Sequence, residues 1–141
     1  MISTKGRYAV RFMLDLAEQP EGIPVPLDDA AHRQQISKKY LEIVVKLLVS
    51  AKLVKGASGK GGGYRLLRKP EEYTVWEILA AAEGTLASVA CLCDGAEACS
   101  RESICKTLPM WRKYYQLTLD YFDSITLADL LQNETQMDYV I

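Results

Sequence analysis

Apolar residues recur at helical intervals in the first stretch of the chain. Val10, Met13, Leu14 and Ala17 stand at i, i+3, i+4 and i+7 and predict an amphipathic helix over Arg7–Glu18. EQPEGIPVPLDD then breaks the pattern with proline, glycine and acid and reads as a connection. Asp28 is placed to N-cap a short helix reaching about Gln34. Ile36 and Ser37 make a turn, with Ser37 as the next N-cap. In KKYLEIVVKLLVSAK the period returns: Leu41, Val44, Val45 and Leu48 form the buried stripe, while Lys39, Glu42 and Lys46 share the wet face. LVKGASGKGGGYRLLRK follows a different pattern, two short strands around a glycine-rich tip, with Leu53 and Val54 leading in and Tyr64 to Leu67 leading out. Thr74 caps a fourth helix that buries Val75, Ile78 and Leu79, and Gly84 ends it. Pro109 suits the first turn of an aromatic helix carrying Trp111, Tyr114, Tyr115, Tyr121 and Phe122. Thr126 and Asp129 form a capping box for a last short helix, LADLLQ, and NETQMDYVI reads as a frayed end.

Helix, three-residue turn, helix is the spacing of a helix-turn-helix, and a hairpin directly after the second helix makes it winged. The expected fold is therefore mainly α with a small β-wing, a winged helix-turn-helix plus a C-terminal dimerisation helix. The expected organisation is a winged-helix domain over 1–83, a cysteine-containing loop over 84–108, dimerisation helices over 109–131 and a flexible tail over 132–141. At 141 residues the chain can bury a core without staples. Lys5, Arg7 and Arg11 interrupt the N-terminus too often for a signal peptide, and Lys46 and Lys52 break the longest apolar run. The expectation is a cytoplasmic protein with no membrane partner.

Charge sharpens this picture. The formal net charge is −1, yet residues 1–69 carry 13 Lys and Arg against 6 Asp and Glu, and residues 70–141 carry 4 against 12. Between Ser37 and Lys69 nine bases face a single acid, Glu42. Such a split suggests one half that meets a polyanion and another with a different task, with a merely solvated basic surface as the alternative. The glycine-rich tip is not a phosphate loop: GASGKG places two residues between Gly56 and Gly59, where four are needed, and Lys60 is followed by Gly61. Lys55, Lys60, Arg65, Arg68 and Lys69 are instead suited to nucleic-acid phosphates, with Gly61, Gly62 and Gly63 allowing close approach to a narrow groove.

Every cysteine lies in CLCDGAEACSRESICKTLPMW: Cys91, Cys93, Cys99 and Cys105. From Cys93 the spacing is C-x5-C-x5-C, looser than the paired C-x2–4-C of structural zinc sites. It suits a loop around a larger object such as an iron–sulfur cluster, with zinc, a reversible disulfide switch or idle thiols as alternatives. No catalytic histidine, carboxylate pair or nucleotide loop points to an enzyme.

STKGRYAVRFMLDLA, ISKKYLE, GKGGGYRL and the cysteine triplet resemble the winged-helix bacterial repressors of the IscR and NsrR type, from near residue 2 to about residue 131. The resemblance implies a dimeric transcription regulator on a pseudo-palindromic double-stranded operator. It also implies an iron–sulfur cluster (2Fe–2S or 4Fe–4S) on Cys93, Cys99 and Cys105. The histidine that completes the IscR-type site is replaced here by Leu108, and the NsrR-type acid falls near Tyr8. Cys91 is the first candidate for the remaining ligand, with Asp94, Glu97, Glu102 or water as the others. Ser37, Lys38, Lys39, Tyr40 and Lys46 are expected at phosphates or base edges. Glu42 is either a selectivity filter that accepts from cytosine or a surface partner of Lys38 or Lys46. Ser58, which stands where many relatives carry arginine, Lys60, Gly61, Gly62 and Tyr64 are expected at the minor groove, and Lys5 and Arg7 on phosphates. A DNA-binding thiol or zinc regulator without a cluster, and a winged helix that binds only protein, are the rival readings.

Overall fold

The computed structural model describes residues 1–132, in which six helices and one hairpin follow each other: α1 (Thr4–Glu18), α2 (Leu27–Gln34), α3 (Lys38–Ser50), β1 (Val54–Ala57), β2 (Gly63–Leu66), α4 (Val75–Glu83), α5 (Leu108–Asp123) and α6 (Leu127–Gln132). β1 and β2 pair antiparallel, Val54 opposite Leu66 and Ala57 opposite Gly63. The predicted residues 133–141 of the tail lie outside the described residues.

α1 starts three residues earlier than its periodicity suggests and buries a different stripe. Ala9, Phe12, Met13 and Leu16 are buried, while Val10, Leu14 and Ala17 are half-buried. The helix is central, contacted by α2, α3, α4, α6 and β2, so apolar positions on more than one side find partners. Its polar Asp15 is 1 % exposed and receives two hydrogen bonds from Arg33 (2.7 and 3.0 Å) and one from Gln34 (3.0 Å). A buried carboxylate needs this full set of donors, and the clamp fixes α2 against α1. The guanidinium of Arg33 is held further into its charged form by that hydrogen bond to Asp15.

Asp28 does not cap α2. Pro26 is the N-cap and Asp28 lies in the first turn, where its charge favours the positive end of the helix dipole. Ser37 does cap α3, accepting from the Tyr40 backbone N–H at 3.2 Å. Gln35, in the left-handed region at φ 55°, closes α2 and lets the chain reverse. The predicted stripe of α3, Leu41, Val44, Val45 and Leu48, is buried as expected. Thr74 caps α4 in a capping box with Glu77.

Two glycines of the hairpin, Gly62 and Gly63, are required by the fold itself. A Cβ on Gly63 would stand 2.3 Å from the Val25 carbonyl, because Val25 pairs with Tyr64 as a third, one-residue strand. A Cβ on Gly62 would stand 2.4 Å from the Ala57 carbonyl oxygen. Only Gly61 and Gly59 face open space, both at positive φ in the turn.

Tyr73 holds the hairpin to the body. It is fully buried, donates to the Leu53 carbonyl at 2.6 Å and accepts from the Leu67 and Arg68 N–H groups at 2.9 and 3.1 Å. Tyr73→Phe keeps the ring and removes all three bonds. It should cost about 2 kcal/mol, lowering the melting temperature by about 4–8 °C in a circular-dichroism melt. An unchanged melt would mean that the hydroxyl does not anchor the wing.

α6 returns to the winged helix. Leu127 is fully buried in the core, its N–H donates to the Tyr73 carbonyl at 3.1 Å, and the Val75 N–H donates to the Ile125 carbonyl at 2.8 Å. The Thr126–Asp129 capping box forms as expected. α6 packs on α1 and on the helical turn at Pro70–Glu72, while α5 packs on α4.

Candidate nucleic-acid interface and cysteine segment

The basic half is presented by two consecutive elements. α3 exposes Lys38, Lys39, Glu42 and Lys46 beside Ser37, and after Ala51–Leu53 the chain enters the hairpin, which exposes Lys55, Ser58, Lys60 and Gly61. Lys38 pairs with Asp28 at 3.0 Å, which raises its pKa, but both side chains are exposed and the lysine remains available to another anion. Glu42 makes no salt bridge among the described residues; its charge reaches Lys38 only as a weaker field. Ile43, half-exposed beside it, was not singled out by periodicity, although an apolar residue off the buried stripe of α3 is the available signal.

Three of the expected contact residues also make contacts within the fold. Arg68 hydrogen-bonds Glu77 at 2.9 Å and lies over the Tyr73 ring at 4.3 Å, so it braces the wing rather than offering a free cation. Tyr64 packs its ring edge-on to Phe12 at 6.3 Å and against Gly56, at the base of the wing. Tyr40 packs edge-on to Tyr8 at 5.4 Å, and Arg11 lies over Tyr8 at 5.2 Å while donating to Gln34. Tyr8 thus ties α1 to the start of α3, and Arg11 ties it to the end of α2. Lys5 is half-buried and Arg7 is exposed, its guanidinium on the Thr4 hydroxyl at 3.2 Å.

Residues 84–107 carry little regular structure beyond one helical turn at Ala90–Leu92. Tight turns close at the Cys93 and Cys99 carbonyls, each 3.0 Å from the N–H three residues on. Cys91 and Cys99 are exposed, Cys93 and Cys105 half-buried, and all four are free thiols. No three Cys, His, Asp or Glu among the described residues converge on a metal-sized site. Cys91 and Cys99 share a concavity of about 260 Å³ with Glu97, Glu102 and Arg112. Cys105 touches the Thr107 hydroxyl at 3.4 Å, and that hydrogen bond lowers its pKa, favouring thiolate. Burial raises the pKa of Tyr115 on α5, and the nearby Asp94 and Cys93 add to the effect.

α5 has two apolar faces. Its inner side packs on α4, with Tyr115 edge-on to Trp76 at 6.0 Å. Its outer side leaves Met110, Tyr114, Leu117 and Tyr121 exposed by 54, 55, 55 and 63 %. Spacings of four, three and four residues make these a heptad-like seam. Tyr114, Leu117 and Tyr121 also border a groove of about 570 Å³ shared with Met1, Ile2 and Thr85 to Ser88. No described helix is long and apolar enough to cross a membrane.

Comparison with known proteins agrees with this architecture. The chain is 40 % identical over 136 residues to the HTH-type transcriptional regulator IscR of Aliivibrio salmonicida, covering 96 % of this chain and 80 % of that one. It is 36 % identical to IscR of Escherichia coli O1:K1, covering 97 % and 83 %. The solved structure of T. potens IscR superposes with a TM-score of 0.76 at 34 % identity, over all of this chain and 93 % of that one. CymR, the global cysteine regulator of B. subtilis, superposes with a TM-score of 0.74 at 34 % identity, over 94 % and 96 %. The Rrf2 profile, described as an iron-dependent transcriptional regulator, matches residues 2–133. A winged helix with a basic reading head, relatives that regulate transcription and a family match along nearly the whole chain make this protein a DNA-binding transcription regulator of the Rrf2 family.

Proposed function

We propose that the protein is a homodimeric repressor whose grip on a pseudo-palindromic operator is set by an iron–sulfur cluster on Cys93, Cys99 and Cys105. The observation that carries this reading is the position of the thiols. They lie on an exposed, sparsely structured segment joining the winged helix, which ends at Glu83, to the α5 seam. The donor set fits such a group: soft sulfurs, none in the core and none in a disulfide, on a segment with few internal bonds to resist gathering them. Cys91 is the first choice for the remaining iron position. Bound there, the cluster supplies electron transfer and an iron that reacts with oxygen or nitric oxide.

The chain's own residues do the reading. Ser37, Lys38, Lys39 and Lys46 bring α3 to the major groove, where Ile43 offers an apolar contact to a thymine methyl and Glu42 an acceptor for cytosine. Ser58, Lys60 and the open backbone at Gly61 border the minor groove, with Gly62 shaping the turn. Lys5 and Arg7 hold phosphates. Tyr40 and Tyr64 act through packing, fixing α3 and the wing to α1.

Titrating the protein onto a duplex selected from a randomised pool, at several salt concentrations, tests the DNA half of this reading. Log affinity should fall linearly with log salt, and Lys60→Ala should reduce the slope by about 1 per protomer. A flat salt dependence would count against phosphate contacts. Iron, acid-labile sulfide and zinc measured on protein purified without oxygen test the cluster half. Iron and sulfide in comparable amounts are expected.

A second reading, a thiol switch without metal, draws support from the concavity shared by Cys91 and Cys99. It predicts colourless protein and a disulfide between these two on mild oxidation.

A further inference from the structure

We infer that Glu83 is the positioning residue that carries the state of the cysteine segment to the DNA-binding face. The inference rests on the proposed function and names the route inside it. Glu83 is the last residue of α4, and Gly84 begins the cysteine segment. Its Oε1 accepts from the Ser3 N–H at 2.8 Å, the Ser3 hydroxyl at 2.7 Å and the Gly6 N–H at 3.0 Å. Ser3 is the N-cap of α1 but makes no side-chain cap of its own. A carboxylate from a segment 80 positions away therefore satisfies two of the free backbone donors at the start of α1, those of Ser3 and Gly6.

A side chain at position 6 would crowd this contact. A Cβ there would stand 2.4 Å from Glu83 Oε1, closer than side-chain carbons approach. The same first two turns of α1 carry Lys5, Arg7 and Tyr8, and Tyr8 packs on Tyr40 in the first turn of α3. Met1 and Ile2 line the groove with Thr85 to Ser88 and the outer face of α5. Two parts meet at one carboxylate, the start of the cysteine segment and the first turn of α1, and the groove bordered by the α5 seam begins beside them at Met1, Ile2 and Thr85. Any rearrangement of residues 85–107 on gaining or losing a bound group pulls on Gly84. Glu83 is the first polar contact through which that pull reaches α1. The coupling is a population shift between arrangements of this junction.

The test compares wild type with Glu83→Ala, Gly6→Ala and Glu83→Gln. Affinity for the selected duplex is measured on metal-free reduced protein and on protein reconstituted with ferrous iron and sulfide. Amide exchange at residues 3–7 is followed in both states. Wild type should change affinity about tenfold between the states, with exchange at residues 3–7 changing in step. Glu83→Ala and Gly6→Ala, which remove or expel the carboxylate, should both cut the ratio below about threefold, whatever they do to affinity in either state alone. Glu83→Gln keeps an acceptor in place and should retain most of the ratio. A merely structural role would lower affinity equally in both states and leave the ratio intact, and that result overturns the inference. A wild type whose affinity does not depend on state overturns both the inference and the sensing reading. A state-dependent wild type with an unaltered ratio in Glu83→Ala overturns the inference alone.

Discussion

Leu117→Asp should convert the proposed homodimer into a monomer and remove most binding to its proposed operator. Leu117 lies in the middle of the exposed seam Met110, Tyr114, Leu117 and Tyr121. In a two-fold interface each substitution acts twice. Burial of a leucine is worth about 1.5–3 kcal/mol, so two losses, with two carboxylates that must shed water, should cost about 4 kcal/mol or more and weaken association about a thousandfold. Two half-site contacts are then no longer linked, and operator affinity falls with them. The monomer should keep its circular-dichroism spectrum, because Leu117 lies outside the core. Sedimentation equilibrium distinguishes the outcomes, and a Leu117→Asp protein that remains dimeric would remove α5 as the interface.

Alanine at Cys93, Cys99 or Cys105 should each abolish iron and acid-labile sulfide in protein purified without oxygen. In the proposed site three thiolates would grip the cluster together, so losing one would not be compensated by the other two. Cys91→Ala separates the ligand question. If Cys91 completes the site, iron falls sharply in that variant too; if water or a carboxylate does so, iron stays and the absorption spectrum shifts little. None of the four changes should affect folding, since all four thiols lie outside the core. Retention of full iron by the Cys99 variant would end the triplet reading.

Legibility of the fold followed the length of each periodic pattern. α3 was readable residue by residue because its stripe faces one core and its cap is local: Ser37 reaches a backbone N–H three positions on. The capping boxes of α4 and α6 and the proline at the start of α5 are likewise short-range. α1 was readable as a helix but not in its buried face, because a central helix is packed from several directions and a single stripe underdescribes it. The seam residues of α5 are all apolar or aromatic in the sequence, yet which ones turn inward depends on where α4 lies.

The candidate site divides in the same way. Charge asymmetry, the glycine-rich hairpin and the C-x5-C-x5-C spacing are properties of composition and order, and the sequence by itself determined them. Which of those residues are free was decided only by tertiary structure. Arg68 and Tyr64 look like groove contacts along the chain, and the fold also pairs Arg68 with Glu77 and sets the Tyr64 ring against Phe12. Gly62 and Gly63 look like allowances for a ligand and are required by the Ala57 and Val25 carbonyls. Asp15 with Arg33, and Glu83 with Ser3 and Gly6, carry no local signature, since their partners lie 18 to 80 positions apart. Local hydrogen bonds and periodic burial are encoded within a few residues, whereas a charge or hydroxyl finds its partner only after the chain has brought distant segments within about 3 Å, the reach of a hydrogen bond.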